Sequence, residues 1–128
     1  GKYTKLIEHK IRRKLDIVPL DKYDYQKLYK DLITERDKEE FIYPCIIPGW
    51  DRSPRSGRRA VIWYNNTPEY WKKHVQMAVD AVQNKEDEHK IIILRSWNEW
   101  GEGNFVEPDK LWGHAFLDSL KEVLFGKD

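Results

Sequence analysis

Cysteine is nearly absent from this chain. The lone Cys45 excludes an intrachain disulfide and a cysteine zinc cluster. Methionine is as scarce: Met77 is the only one, and residue 1 is Gly, so the chain is expected to be a processed product or an excised piece. Charge of one sign is missing too. Lys+Arg number 23 against 22 Asp+Glu, a net charge of +1, which gives no reason to expect a nucleic-acid partner. No apolar run approaches the ~20 residues of a membrane span. The first twenty residues are too rich in Lys, Arg and Glu for a secretory leader, so a cytoplasmic location is expected. His9, His74, His89 and His114 show no metal-ligand spacing and read as surface or packing residues. There is no phosphate-binding glycine loop, no Ser-His-Asp arrangement, no repeat and no low-complexity segment. No cofactor is therefore expected.

What is present is unevenly spread. Of the first 40 residues, 20 are charged, whereas all six tryptophans lie between Trp50 and Trp112. At 128 residues the chain has the length of one domain. Residues 1–24 read as a charged linker or the remnant of an insertion, and residues 25–128 as the folded part. Lys10, Arg12, Arg13 and Lys14 suggest an anionic contact patch. Glu8, Asp16, Asp21 and Asp24 nearby argue instead for a solvated surface.

The patterning predicts an α/β fold. Asp24 can cap a helix from about Tyr25 to Thr34, with Tyr25, Leu28, Tyr29, Leu32 and Ile33 on one apolar face. Phe41 to Ile47 reads as a strand made irregular by Pro44, which has no N–H to donate. A long polar loop from Pro48 to about Asn66 follows, with Ala60 to Tyr64 extended within it. Thr67-Pro68-Glu69 is a strong helix start. Trp71, Val75, Ala78, Val79 and Val82 make its buried stripe, ending near Asn84. The unbroken run Ile91 to Leu94 suits a strand covered on both faces, as in a parallel sheet. A last helix is expected from Leu111 to Leu124, with Phe116, Leu117, Leu120, Val123 and Leu124 inward and Gly126 stopping it. Such alternation implies parallel strands. Two principal strands are few for a sheet, so the chain reads as part of something larger or as a borrower of strands from a partner.

The chemistry-bearing stretch runs from Arg95 to Pro108, directly after the buried strand. Ligands of parallel α/β folds sit at the carboxyl ends of strands. Glu99, Glu102 and Glu107 emerge there with Trp97, Trp100 and Asn98. Glycosidic-bond chemistry needs two carboxyl groups, one protonated and one ionised, and their separation sets the stereochemical outcome. If Glu99 and Glu102 come close, their repulsion separates the two roles. Indole faces suit the C–H face of a sugar, Asn98 suits a hydroxyl, and Gly101 and Gly103 permit close backbone approach. The bland alternatives are tryptophans capping the core, and Glu107 with Asp109 serving the dipole of the last helix.

Trp97-Asn98-Glu99-Trp100-Gly101-Glu102-Gly103 followed by Glu107-Pro108-Asp109 resembles the hallmark segment of the WbsX-like glycosyltransferase family, which is itself similar to glycoside hydrolase family 99, the endo-mannosidases. Pro48-Gly49-Trp50-Asp51 with Arg55, then Asn66-Thr67-Pro68-Glu69, resembles the family's preceding strand, loop and helix start. The motifs extend from about Tyr25 to Leu124, with little to compare before Tyr25. The resemblance implies the C-terminal portion of a (β/α)8 TIM-like barrel: its last two strand–helix units plus a preceding helix. A full barrel needs ~250 residues. It implies that Glu99 deprotonates the sugar 2-hydroxyl, which attacks the anomeric carbon, and that Glu102 is the general acid/base. Trp50, Asp51 and Arg55 would line sugar subsites.

The run Arg52, Arg55, Arg58 and Arg59 departs from the hydrolases. It either holds a phosphate of an activated donor or is simply solvated. The family implies glycosyl transfer in lipopolysaccharide, O-antigen or capsule synthesis, with a polysaccharide or activated sugar as partner. A hydrolase trimming glycans and a non-catalytic sugar-binding or assembly module are the alternatives. Exposed strand edges predict pairing with the upstream part of a barrel or self-association.

Overall fold

The computed structural model describes residues 7–8, 10–12 and 20–126. In chain order the principal elements are β1 (Asp21–Asp24), α1 (Tyr25–Leu32), β2 (Cys45–Ile46), α2 (Ser53–Ser56), β3 (Val61–Tyr64), α3 (Pro68–Val82), β4 (Ile93–Leu94), β5 (Asn98–Glu99), β6 (Asn104–Phe105) and α4 (Ala115–Phe125). The strands pair as three separate two-stranded sheets. β1 runs parallel to β3, with Asp21 opposite Val61 and Asp24 opposite Tyr64. β2 runs parallel to β4, and β5 and β6 form an antiparallel hairpin. The class is mixed α/β, with no closed barrel among the described residues. None of their helices is long and apolar enough to cross a membrane.

The helices follow from their local signals. Asp24 accepts from the Gln26 N–H at 3.1 Å and starts α1. Tyr25, Tyr29 and Ile33, spaced four apart, form its buried seam, while Leu28 and Leu32 are half-buried. Thr67 caps α3, accepting from the Tyr70 N–H at 3.5 Å, with Pro68 in the first turn. Trp71, Val75, Ala78 and Val82 are buried as the stripe predicts, with Val79 half-buried. His74 and Ala81 are buried beside them. α3 packs along α4, and the Trp71 indole N–H donates to the Phe116 carbonyl at 3.0 Å. Trp71, Val75, Ala78, Ile46, Val106 and Phe116 thus form one core between the helices and the β2–β4 pair.

Four expectations need correction. The Phe41–Ile47 strand is only Cys45–Ile46, and Phe41 is exposed. Pro44 has no donor, so only its carbonyl joins the ladder, accepting from the Ile93 N–H at 2.9 Å. The Ile91–Leu94 strand is only Ile93–Leu94 and is covered on one face: Ile92 and Leu94 pack on the core, while Ile91 and Ile93 are exposed. An apolar run permits burial on two faces but does not supply the second layer. The last helix starts at Ala115 rather than Leu111. The Asp109 carboxylate accepts from the N–H groups of Leu111 (2.7 Å) and Trp112 (2.6 Å), tying those residues into a turn that Gly113 closes at φ +54°. Leu124 is exposed, whereas Phe116, Leu117, Leu120 and Val123 face the core. Gly126 ends the helix at φ +85°.

The polar loop is more ordered than its composition suggests, holding α2, a 3-10 turn over Gly57–Arg59 and β3. β1, at the end of the charged stretch, had no sequence signal. Within that stretch Arg12 pairs with Glu8 at 2.8 Å. His9, Arg13, Lys14 and Asp16 of the expected patch region lie outside the described residues.

Candidate functional site

β2 and β4, paired in parallel, end side by side. Ile47 follows β2 and Arg95 follows β4. With Trp50, Arg52, Ser56, Arg59, Val61 and Trp63 they line an open cleft of about 430 Å³. That size falls within the roughly 300–1,000 Å³ of small-molecule sites. Its place at the carboxyl ends of two parallel strands is where α/β folds bind ligands.

The segment after Arg95 is anchored from below. Asn104 is buried; its side-chain oxygen accepts from the Ser96 N–H at 2.8 Å, and its carbonyl accepts from the Ser96 hydroxyl at 2.9 Å. These bonds close the β5–β6 hairpin, whose tip is a 3-10 turn over Trp100–Glu102. Gly103 finishes the turn at φ +57°, where a side chain is disfavoured. The Glu102 carbonyl accepts from the Asp51 N–H at 2.7 Å. A Cβ on Gly103 would lie 2.9 Å from the Asp51 Cβ and 3.0 Å from its N, so glycine is what lets the tip sit on the Asp51 backbone. At Gly101 the space is filled by Arg55, whose guanidinium would be 2.5 Å from an added Cβ. Both glycines thus permit the close approach expected of them, to the Arg55 side chain at Gly101 and to Asp51 at Gly103.

Three arginines converge on Glu102: Arg52 Nε at 3.4 Å, Arg55 Nη1 at 3.8 Å and Arg95 Nη2 at 4.0 Å. The Glu102 side chain is only 15% exposed, against 44% for Glu99. Arg55 also reaches Glu99 through Nη2 at 3.3 Å. A guanidinium therefore bridges the two carboxylates, in place of the direct repulsive contact considered from the sequence. The loop through Asp51 is what brings this positive charge to them.

Trp50 borders the cleft with the Arg95 guanidinium 4.9 Å over its ring, a cation–π arrangement, and with Trp63 at 6.2 Å. The Asp51 carboxylate accepts from the Ser53 N–H at 2.8 Å, at the start of α2. Trp100 stacks on Phe105 at 3.6 Å, and its indole N–H donates to Glu107 at 2.7 Å. Glu107 is thus committed to holding that indole. It does not serve α4, which begins eight residues later. Asn98 is exposed on β5, opposite Phe105. Trp97 lies apart from the cleft, half-exposed in a groove with Leu117, Leu120 and Phe125. The fold therefore gathers Trp50, Asp51, Arg55, Glu99 and Glu102, keeps Trp100 with Glu107 on the hairpin, and sets Trp97 aside.

Among the charged and aromatic residues that line the cleft, Arg95 and Trp63 were not singled out from the sequence. Arg95 did carry a signal, being the first residue after a strand at its carboxyl end. Trp63 carried none, because nothing local says which way a short extended run in a loop will face.

The other titratable groups serve packing. Tyr25 donates its hydroxyl proton to the Ile47 carbonyl at 2.8 Å and lies 2.9 Å from His74 Nδ1. Burial pushes the His74 pKa down to about 4 and the Tyr25 hydroxyl up. Burial also raises the Cys45 thiol. The Tyr43 hydroxyl lies 2.8 Å from His89 Nδ1. No cluster of three His, Cys, Asp or Glu side chains suited to a metal occurs among the described residues.

The family model described as "Glycosyltransferase WbsX" matches residues 2–120. The match includes the charged N-terminal stretch, where the motifs gave little to compare. Two proteins described as "Uncharacterized protein WxcX", from Xanthomonas campestris pv. campestris strains B100 and ATCC 33913, are each 30% identical over 105 residues. That covers 81% of this chain but only 15% of theirs, so the chain spans a small part of the length of the curated relatives it matches. No solved structure matches.

Proposed function

The chain belongs to the WbsX glycosyltransferase family, and from that membership we propose that it forms part of a carbohydrate-active enzyme that transfers glycosyl units during cell-surface polysaccharide synthesis. The observation that carries this reading is Glu102: a largely buried carboxylate joined to Glu99 through Arg55 and paired with Arg52 and Arg95, two residues that line the tryptophan-bordered cleft where two parallel strands end. Glu102 acts as general acid/base, passing a proton to or from the glycosidic oxygen. Glu99, more exposed and joined to it through Arg55, takes the proton of the attacking hydroxyl. Trp50 offers its face to the sugar. Trp100, fixed by Phe105 and Glu107, offers a second surface on the hairpin.

The larger frame belongs to the same proposal. A parallel β2–β4 pair flanked by α3 and α4 suits the last strand–helix units of a (β/α)8 barrel, with residues 25–128 in the barrel and 1–24 leading into it. The exposed face of Ile91 and Ile93 would then meet upstream barrel elements.

The test uses the complete protein. Glu102→Gln and Glu99→Gln should each abolish turnover while the circular dichroism spectrum stays unchanged. Full activity in either variant refutes the role given to that residue. Water-dependent release of reducing sugar without an activated donor would make the enzyme a hydrolase on the same carboxylates. Sugar binding without turnover would make it a binding module.

A further inference from the structure

We propose that a second, smaller hollow, walled by Asn66, Asp109 and the β5–β6 hairpin, receives an acetamido group, so that the glycosyl substrate carries an N-acetylated sugar. This rests on the sugar-active reading above and names its substrate class. Size is the first observation. The hollow measures about 150 Å³, and a cavity of roughly that volume holds benzene. A whole hexose, with twice the heavy atoms of benzene, exceeds it, whereas an acetamido arm does not. Place is the second. Gly103 lines the hollow and directly follows Glu102, and Phe105 in the same wall carries Trp100 stacked on it at 3.6 Å. The hollow thus begins one residue along the chain from the carboxylate assigned as acid/base.

The chemistry of the lining is the third observation. Phe105, Leu111, Trp112 and Phe116 supply apolar walls, and Asn66 and Asp109 are the polar side chains. Packing holds Asn66: a Cβ on Gly49 would fall 2.6 Å from its Nδ2. Its amide makes no hydrogen bond among the described residues. Asp109 Oδ1 accepts from the N–H groups of Leu111 and Trp112, while Oδ2 accepts from none of the described residues. An acetamido group is the complement of such a lining. Its carbonyl accepts from Asn66, its N–H donates to Asp109, and its methyl covers aromatic wall. A hydroxyl can meet the polar pair but leaves the apolar wall uncovered, and a carboxylate is opposed by Asp109. Leu111 and Trp112 are exposed, so the hollow is open on their side.

The test titrates the complete protein with chitotriose and with maltotriose by isothermal calorimetry. Chitotriose is expected to bind about tenfold more tightly. Its acetamido methyl protons should be the most strongly saturated in saturation-transfer difference NMR. Asn66→Leu, which keeps the size and removes the hydrogen bonds, should erase the preference and leave maltotriose unchanged. Trp112→Ala, at an exposed position, should reduce the preference in the same selective way, so the inference does not hang on one variant. A preference that survives both substitutions puts the acetamido group elsewhere and overturns the inference. Equal binding of the two trisaccharides also overturns it and leaves the sugar reading standing. Failure of both to bind overturns both.

Discussion

Replacing Gly103 by alanine tests the packing that builds the site. Two costs add at this position. The first is conformational: at φ +57° an L-residue pays about 1–2 kcal/mol. The second is steric. The new Cβ would fall 2.9 Å from the Asp51 Cβ and 3.0 Å from the Asp51 N, so backbone must move, and overpacking of that kind costs about 1–3 kcal/mol. Gly113 supplies the control. Its φ is +54°, yet a Cβ there would meet nothing within 4 Å, so Gly113→Ala carries the conformational cost alone. The expected losses are about 3 kcal/mol for Gly103→Ala and about 1 kcal/mol for Gly113→Ala, read from urea unfolding midpoints at constant m. In thermal melts each kcal/mol corresponds to about 4 °C. Gly103→Ala should also break the 2.7 Å bond from the Asp51 N–H to the Glu102 carbonyl and move Glu102 away from its arginines. Equal losses in the two variants would show that the hairpin tip does not rest on Asp51, and the positioning argument would fall with it.

Gly101→Ala should behave differently, because the atoms nearest its Cβ are the far end of the Arg55 side chain. Stability should change by less than about 1 kcal/mol, as expected for an exposed ion pair, while turnover falls as Arg55 leaves Glu99 and Glu102; unchanged turnover would remove Arg55 from the mechanism. Trp71→Ala should cost about 3–5 kcal/mol, since a fully buried indole and its bond to the Phe116 carbonyl are both lost; a loss under 1 kcal/mol in denaturant titration would contradict the core described. His74 gives a pH dependence. Its pKa is lowered by burial from 6.5 to about 4, so between those values the unfolded chain binds a proton that the folded chain refuses. Stability should therefore be full above pH 6.5, fall as the pH drops toward 4, and level off below, a change of roughly 3 kcal/mol. His74→Phe should flatten that slope, and an unaltered slope would assign it to other groups.

Local signals carried the helices. The Asp24 and Thr67 caps, the four-residue spacing of Tyr25, Tyr29 and Ile33, and the stripe from Trp71 to Val82 each state a rule that neighbouring residues can satisfy among themselves. The strand pairing of Cys45–Ile46 with Ile93–Leu94 was legible as parallel from the alternation of elements, but not its length. Strand length depends on partners distant in the chain, and Pro44 and the open face of Ile93 show how few were there to pair.

The candidate carboxylates were legible because Glu99 and Glu102 follow an apolar run at the carboxyl end of a strand. What surrounds them was not. Glu102 lies 47 or more residues from each of Arg52, Arg55, Trp50 and Asp51, and their meeting depends on the loop after β2 folding back over the β5–β6 hairpin. Composition could name four arginines in that loop, but only the tertiary structure decided that Arg52 and Arg55 reach the carboxylates, that Arg95 joins them, and that Trp97 does not. A charged side chain in a loop satisfies its own solvation wherever it points, so nothing local fixes its direction. The packed backbone at Gly101 and Gly103 does.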